Sequence, residues 1–312
     1  MVKQMRKVAL TKISIKNRVS PVTNAILHAL FLCLSIACVA PLLLLISVSF
    51  TTETALIRNG YQFFPQELTL QAYRFLFNSP QLIINAYGIT LFVVIVGTAS
   101  CLLITALYAY PISRMDFPFK GFFSMYIVIT LLFNGGLTAT YITNVRILHL
   151  RNSIWALILP GLGSAFYIML TRTFFRMSIP VSILESARID GAGEGRIFFQ
   201  IVLPLSLPVL ATVAMLATFS YWNDWFRNLL YTDKKELYSV QFVMMRALLN
   251  LQYLQQNMSQ MSSEEAMLEM AKLPSETLRM AMAIVAIGPI VIAYPFFQRY
   301  FISGLTVGAI KG

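Results

Sequence analysis

The sequence predicts an all-α, polytopic membrane protein with six transmembrane helices. Three observations carry that expectation. Of 312 residues, 57% are hydrophobic and only 12% charged, with a mean hydropathy of +0.70, whereas soluble domains carry about a quarter charged residues. The apolar residues gather into six runs long enough to cross a bilayer. The formal net charge of +11 is concentrated at the ends of those runs, a placement that suits orientation in a membrane and contact with anionic headgroups rather than with nucleic acid.

The N-terminal segment, residues 1–23, carries Lys3, Arg6, Lys7, Lys12, Lys16 and Arg18 and no acidic residue, so it is expected on the cytoplasmic side. The first span, 24–50, is too long for the apolar core of a signal peptide, and no small-residue cleavage pattern closes it. Residues 51–81 hold Asn59-Gly60, Pro65 and Asn78-Ser79-Pro80 and read as an external loop. The second span, 82–110, ends at Tyr110-Pro111, and Arg114 and Lys120 mark the return to the cytoplasm.

The third span, 121–144, contains Asn134-Gly135-Gly136. Such a triplet either ends a helix near the interface or breaks it, and broken backbone at membrane depth is tolerated only where protein or water covers it. The fourth span, 154–171, exits toward Arg172 and Arg176. Residues 177–197 form a charged cytoplasmic loop, and the fifth span, 198–221, holds Pro204 and Pro208. Residues 222–277 form a long polar outer loop, and the sixth span, 278–302, contains Pro289 and Pro295. An even number of spans puts both termini in the cytoplasm, and the short loops agree, since cytoplasmic segments hold 14 of the 24 Lys and Arg residues. Residues 24–312 are expected to form one six-span domain.

No phosphate-binding Gly-x-x-x-x-Gly-Lys-Ser/Thr loop, no Gly-x-Ser-x-Gly elbow and no metal-ligand spacing occurs; His28 and His149 read as structural residues. Cys33, Cys38 and Cys101 lie in apolar stretches and read as small buried hydrophobes. None of the spans has an acidic residue near its middle, which disfavours a proton-coupled secondary transporter. A membrane enzyme lacks a catalytic cluster. Any driving force is therefore expected from outside the chain, and the charged loop is where it would enter.

In that loop, Ser182-x-x-Glu185 follows Pro180 and matches a capping box, with the serine hydroxyl accepting from an amide of the first turn while the glutamate reaches back. The helix should stop at Gly191 to Gly193, where glycine can take the left-handed conformation. Ile183, Ala187 and Gly191 share one strip at a spacing of four, small enough to admit another surface. A plain capping role for Glu185, or a helix resting on the membrane interface, fits the same pattern.

Glu185-Ser186-Ala187, then three residues, Gly191, then nine residues, then Ile201-Val202-Leu203-Pro204 resembles the signature of ABC importer permeases, Glu-Ala-Ala-x3-Gly-x9-Ile-x-Leu-Pro, with Ser186 where alanine is usual. The likeness is nearest to the carbohydrate-uptake branch, MalG-like and LplC-like. Phe133-Asn134-Gly135-Gly136-Leu137, Tyr221-Trp222-Asn223-Asp224-Trp225, residues 294–301 and the tail 304–312 carry it further. The resemblance implies the MetI-like permease fold of type I ABC importers. It also implies a second homologous permease, two ATP-binding cassette subunits that bind ATP and Mg, and an extracellular solute-binding lipoprotein delivering a sugar. This chain would bind no cofactor and would lie in a bacterial cytoplasmic membrane. Its loop would be a coupling helix, with Ser182, Glu185, Ser186, Ala187, Arg188, Asp190, Gly191 and Pro204 at the ATPase contact and Lys311 and Gly312 in a tail reaching the same interface. The capped helix would act as a stiff lever on span five.

Candidate wall residues for the substrate path are Asn134, Tyr141, Trp222, Asn223 and Trp225, although Trp and Tyr at a membrane edge also serve as interface anchors. Arg227, Lys234, Lys235 and Arg246 either favour acidic glycans or face water. Importers of lipids, amino acids or metals share the loop, so the motif reports the engine rather than the cargo.

Overall fold

Apolar runs of this length leave the backbone no partner but itself, and the chain answers with helices throughout. A computed structural model describes residues 20–259 and 275–309, and the tail residues Lys311 and Gly312 lie outside them. In order, the helices are α1 (Pro21–Ser49), α2 (Glu53–Asn59), α3 (Gln71–Leu76), α4 (Pro80–Ser113), α5 (Lys120–Leu132), α6 (Gly136–Ile147), α7 (Trp155–Gly161) and α8 (Ala165–Ser178). They continue as α9 (Val181–Ile189), α10 (Glu194–Leu205), α11 (Leu207–Trp222), α12 (Phe226–Tyr231), α13 (Val240–Ser259) and α14 (Ser275–Ala309). Among the described residues the only extended pairing is an isolated bridge between Thr51 and Leu68.

Three helices, α1, α4 and α14, are long and apolar enough to cross a membrane unaided. The other three spans are bent pairs: α5 and α6 meet at 116°, α7 and α8 at 49°, α10 and α11 at 78°. Each bend has a local cause. At the first, Gly136 takes φ +80° and its amide donates to Asn134 Oδ1 over 2.9 Å, so Asn134-Gly135-Gly136 breaks the helix. At the second, Gly163 takes φ +72°. The third follows a π-helical turn, Phe198–Val202, with Pro204 and Pro208 flanking Ser206.

The described residues divide into two compact units, 20–73 with 275–281 and 74–259 with 282–309. In the first, Ser20 Oγ caps α1 by accepting from the Thr23 amide, and Pro21 sits at the first helical position. Within α1 only Ser47, Val48 and Ser49 are buried, and Cys33 and Cys38 are exposed. The expectation that all three cysteines are buried holds only for Cys101, because among the described residues α1 is covered only at its C-terminal end. The stretch read as external loop contains α2, whose Glu53 is buried and accepts from the Glu276 and Thr277 amides and from the Ser275 and Thr277 hydroxyls at 2.8–3.1 Å. A carboxylate thus caps the N-terminus of α14.

In the second unit, α4 is the central element, with α8 and α11 against it. Ala106 and Ala109 of α4 are fully buried, and such small residues allow helix backbones to approach closely in lipid. They join Ile168 and Phe175 of α8, Leu184 and Ala187 of α9, and Ile197, Phe198 and Val202 of α10 in one apolar cluster. A second cluster toward the other end joins Val93, Val94 and Cys101 to Leu157, Ile158, Ala217, Tyr221 and Trp222. The stretch read as a polar outer loop contains the 20-residue helix α13, whose Val240, Val243, Met244 and Leu251 are buried.

Candidate functional site

The charged loop folds as a helix between two turns. The residue before a proline is biased away from the helical region, and Ile179 is extended, with φ −101° and ψ 112°. Helix α8 therefore runs past 171 to Ser178, and α9 starts immediately after Pro180. Pro180 is itself the N-cap, with no side-chain capping bond. The expected capping box is absent, because the helix begins two residues earlier than that pattern requires and Ser182 falls inside the first turn.

The C-terminal end is as expected. Gly191 takes φ +79°, its amide donates to the Arg188 carbonyl over 3.0 Å, and the Ala192 amide donates to the Ala187 carbonyl over 2.9 Å. This pair of bonds is the Schellman arrangement, which needs a residue tolerant of the left-handed region. Gly193, with φ −72°, has no such requirement.

Burial sorts the residues of α9. Leu184 and Ala187 are buried in the chain's own core, and Ala187 is only 9% exposed. The strip expected to meet a partner is therefore corrected: Ala187 turns inward to the buried cluster that also holds Ile197 and Phe198, because it lies three residues from Leu184 on the apolar face. Ser182, Ile183, Glu185, Ser186, Asp190 and Gly191 are exposed, as is Ile189 at 87%.

Arg188 turns sideways into a network that sequence reading missed. It pairs with Asp116 of the α4–α5 turn over 2.6 Å and with Glu194, the first residue of α10. Arg114 grips Asp116 with a two-pronged contact at 3.0 and 3.1 Å, the geometry for which a guanidinium is suited. Arg114 also donates to the Tyr110 hydroxyl, which donates to Glu194 Oε2 over 2.6 Å. Two arginines and two carboxylates thereby close a ring with one tyrosine. The two arginines hold the Asp116 carboxyl well below the usual carboxylate range, and the carboxylates in turn raise Arg188 above its ordinary value. The one signal in the sequence was an acidic residue in an otherwise basic short turn.

Beyond the ring, the chain is not one straight helix. Between Glu194 and Trp222 it passes a π turn and the 78° bend at Ser206, whose backbone amide is shared between the Val202 and Leu203 carbonyls. Pro204 lies exposed on this elbow. Proline removes a helical donor there, and π turns recur at functional positions in helices.

Near the far end of α11, the structure separates the wall candidates. Trp222 is 3% exposed, and its indole N–H donates to the Ala286 carbonyl over 2.9 Å. It is a packing residue rather than a wall residue, and its polar edge is satisfied inside the protein. Tyr221 donates to the Ile158 carbonyl over 3.0 Å. Asn134 and Asn223 are exposed, Trp225 is half-buried against Phe226, and Tyr141 stacks on Tyr231 at 6.0 Å and 11°.

The basic residues also divide. Arg227 pairs with Asp224 over 2.8 Å, donates to the Leu157 carbonyl and lies over the Tyr221 ring. Arg246 donates to the Tyr238 hydroxyl and lies over the Tyr238 and Phe242 rings. Lys234 and Lys235 are exposed. No group of three or more His, Cys, Asp or Glu placed to hold a metal occurs among the described residues.

Three unbroken and three bent apolar spans, long enough together to cross a bilayer six times, make this an integral membrane protein. Residues 30–307 match the family described as binding-protein-dependent transport system inner membrane component. The chain belongs to that family, and so is an ABC transport permease rather than an enzyme. It is 34% identical over 289 residues to the polygalacturonan/rhamnogalacturonan transport system permease protein YtcP of Bacillus subtilis, covering 93% of this chain and 98% of the relative. It is 30% identical to the arabinooligosaccharides transport system permease protein AraQ of Halalkalibacterium halodurans, over 95% and 100% of the two chains. A chain from the crystal structure of a bacterial ABC transporter involved in import of the acidic polysaccharide alginate superposes with a TM-score of 0.74 at 26% identity, over 90% of this chain and 95% of that one. The MetI-like, type I importer fold expected from the signature loop is the fold of this chain.

Proposed function

We propose that the chain moves a sugar or oligosaccharide across the cytoplasmic membrane by alternating access, driven by ATP hydrolysed elsewhere in its complex. The observation that carries the cargo is that two relatives matched over nearly their whole length are permeases for polygalacturonan/rhamnogalacturonan and arabinooligosaccharides. Fold alone would not support it; matching across the whole permease does.

In this reading the partners are a second homologous permease, two ATP-binding cassette subunits holding ATP and Mg, an extracellular solute-binding protein and the lipid bilayer. Both termini face the cytoplasm. The exposed Ser182, Glu185, Ser186 and Asp190 meet the cassette subunit. Ala187 serves from inside by packing, Arg188 by its ring, Gly191 by permitting the turn, and Pro204 by shaping the elbow. Lys311 and Gly312 extend toward the same interface. Asn134, Tyr141, Asn223 and Trp225 remain wall residues of the path, without Trp222.

The test is transport in proteoliposomes holding the whole complex, with uronic-acid and neutral oligosaccharides offered through the solute-binding protein. Uptake of either class with stimulated ATP hydrolysis supports the proposal, and uptake of neither class, while a non-sugar solute is carried, overturns the cargo. A bulky Gly191→Trp should abolish either assembly or stimulated hydrolysis. Retention of both would remove the coupling role.

A further inference from the structure

The ring described above joins the α4–α5 turn, through Arg114 and Asp116, to two neighbouring elements some seventy residues later, α9 through Arg188 and the start of α10 through Glu194. Tyr110, near the end of α4, closes it from beneath. Arg188 sits inside the signature segment, where an arginine beside Glu185 would ordinarily be read as a contact to the cassette subunit. Its three donor contacts point instead to groups of its own chain.

We infer that Tyr110, Arg114, Asp116, Arg188 and Glu194 form a positioning ring that fastens the coupling helix to the ends of two spans at once, so that one displacement of α9 moves α4 and α10 together.

Three features support it. First, the ring is electroneutral, with two guanidinium and two carboxylate groups, so it presents no net charge for a partner to neutralise. Second, it adjoins the apolar cluster that holds Leu184, Ala187, Ile197 and Phe198, with the Tyr110 ring 5.2 Å from that of Phe198. The buried contact supplies adhesion but is non-directional, whereas charged forks fix orientation. Third, Asp116 and Glu194 are about half exposed, and exposed pairs contribute little to stability. A role in stability alone does not account for five side chains closed into one circuit, whereas a role in direction does. Transmission of a stroke calls for a rigid element that moves as a body. Because the chain bends by 78° between Glu194 and Trp222, rigidity has to be provided before the bend, and this is where the ring lies.

The inference rests on the proposal that α9 is the coupling helix. The experiment uses the complete complex in proteoliposomes and reads solute transported per ATP hydrolysed for Arg188→Ala, Asp116→Asn, Glu194→Gln and the triple variant. Each single variant should lower that ratio by about fivefold or more, with assembly yield and thermal midpoint unchanged. The triple variant should cost no more than a single one, since members of one circuit are not additive. Arg188→Lys should recover part of the loss. Tyr110→Phe, which opens the ring at one oxygen, covers the case in which a charge variant fails to assemble, and should lower the ratio by about threefold.

Ratios within twofold of the parent across these variants, or losses that add independently, overturn the ring. If Gly191→Trp still destroys assembly or stimulated hydrolysis in that event, the coupling role of α9 stands without the ring. If Gly191→Trp is also silent, both fall.

Discussion

Gly97 of α4 and Tyr221 of α11 touch so closely that a Cβ on Gly97 would stand 2.8 Å from the tyrosine ring. The same tyrosine is approached at 2.8 Å by the position a Cβ would take on Gly161. Tyr221 is therefore held between two glycines, with its hydroxyl on the Ile158 carbonyl. Replacement of either glycine by alanine should destabilise the protein by about 1–3 kcal/mol through overpacking, read as a lower thermal midpoint in detergent. Gly88, with open space around it, is the control and should tolerate alanine.

Trp222 gives a prediction that separates packing from substrate contact. Trp222→Phe keeps an aromatic ring in the buried site but removes the donor to Ala286, whose carbonyl retains Gln241 Nε2 at 3.2 Å. The expected loss is about 1 kcal/mol of stability, with the apparent KM for transport unchanged. A KM raised severalfold with unaltered stability would return Trp222 to the wall of the path.

Glu53 should matter for a reason unrelated to transport. Its carboxylate takes four donors at the start of α14. Glu53→Gln keeps one acceptor oxygen but sets an amide against those donors, and should cost about 1–3 kcal/mol. Hydrogen exchange should rise first at the Glu276 and Thr277 amides. Equal exchange in both proteins would show that the cap is dispensable.

The ring should be indifferent to physiological pH. Asp116 is held below its usual range by Arg114 and Arg188. A carboxylate held below its ordinary range, about 3.9 for unfolded aspartate, stays ionised through the physiological window and would be discharged only by acid well below that value. The transport-to-hydrolysis ratio should therefore be flat between about pH 5 and 8 as far as Asp116 is concerned, and rising salt should lower it because exposed pairs are screened. A midpoint near pH 6.5 would point to a different group.

What the sequence made legible follows from the range of each interaction. Six apolar runs report on their own surroundings, so they were readable, and the left-handed turn at Gly191 is set by its immediate neighbours. Ser182 was misread because a capping box and a serine two positions inside a Pro180-capped helix share the same letters. Trp222 was misread because an aromatic residue at a membrane edge looks identical whether it faces water, lipid or Ala286. Asp116 and Arg188 are joined only by the fold, and no periodicity links residues so far apart. Helix α13 was obscured by its Gln and Asn content, yet Val240, Met244, Ala247 and Leu251 recur at helical spacing, and that stripe was available.

The π turn at Phe198–Val202 alters what the motif spacing means. A π turn holds one residue more than an α turn and so offsets every later side chain by roughly a hundred degrees around the axis. The nine residues between Gly191 and Ile201 therefore set a phase as well as a length. Removing a single residue from 198–202 would shorten the helix only slightly, but it would rotate the faces of Pro204 and Leu205 and of the elbow beyond. In this permease the interval is a timing mark, and a one-residue deletion there should prove more damaging than any single substitution at the same positions.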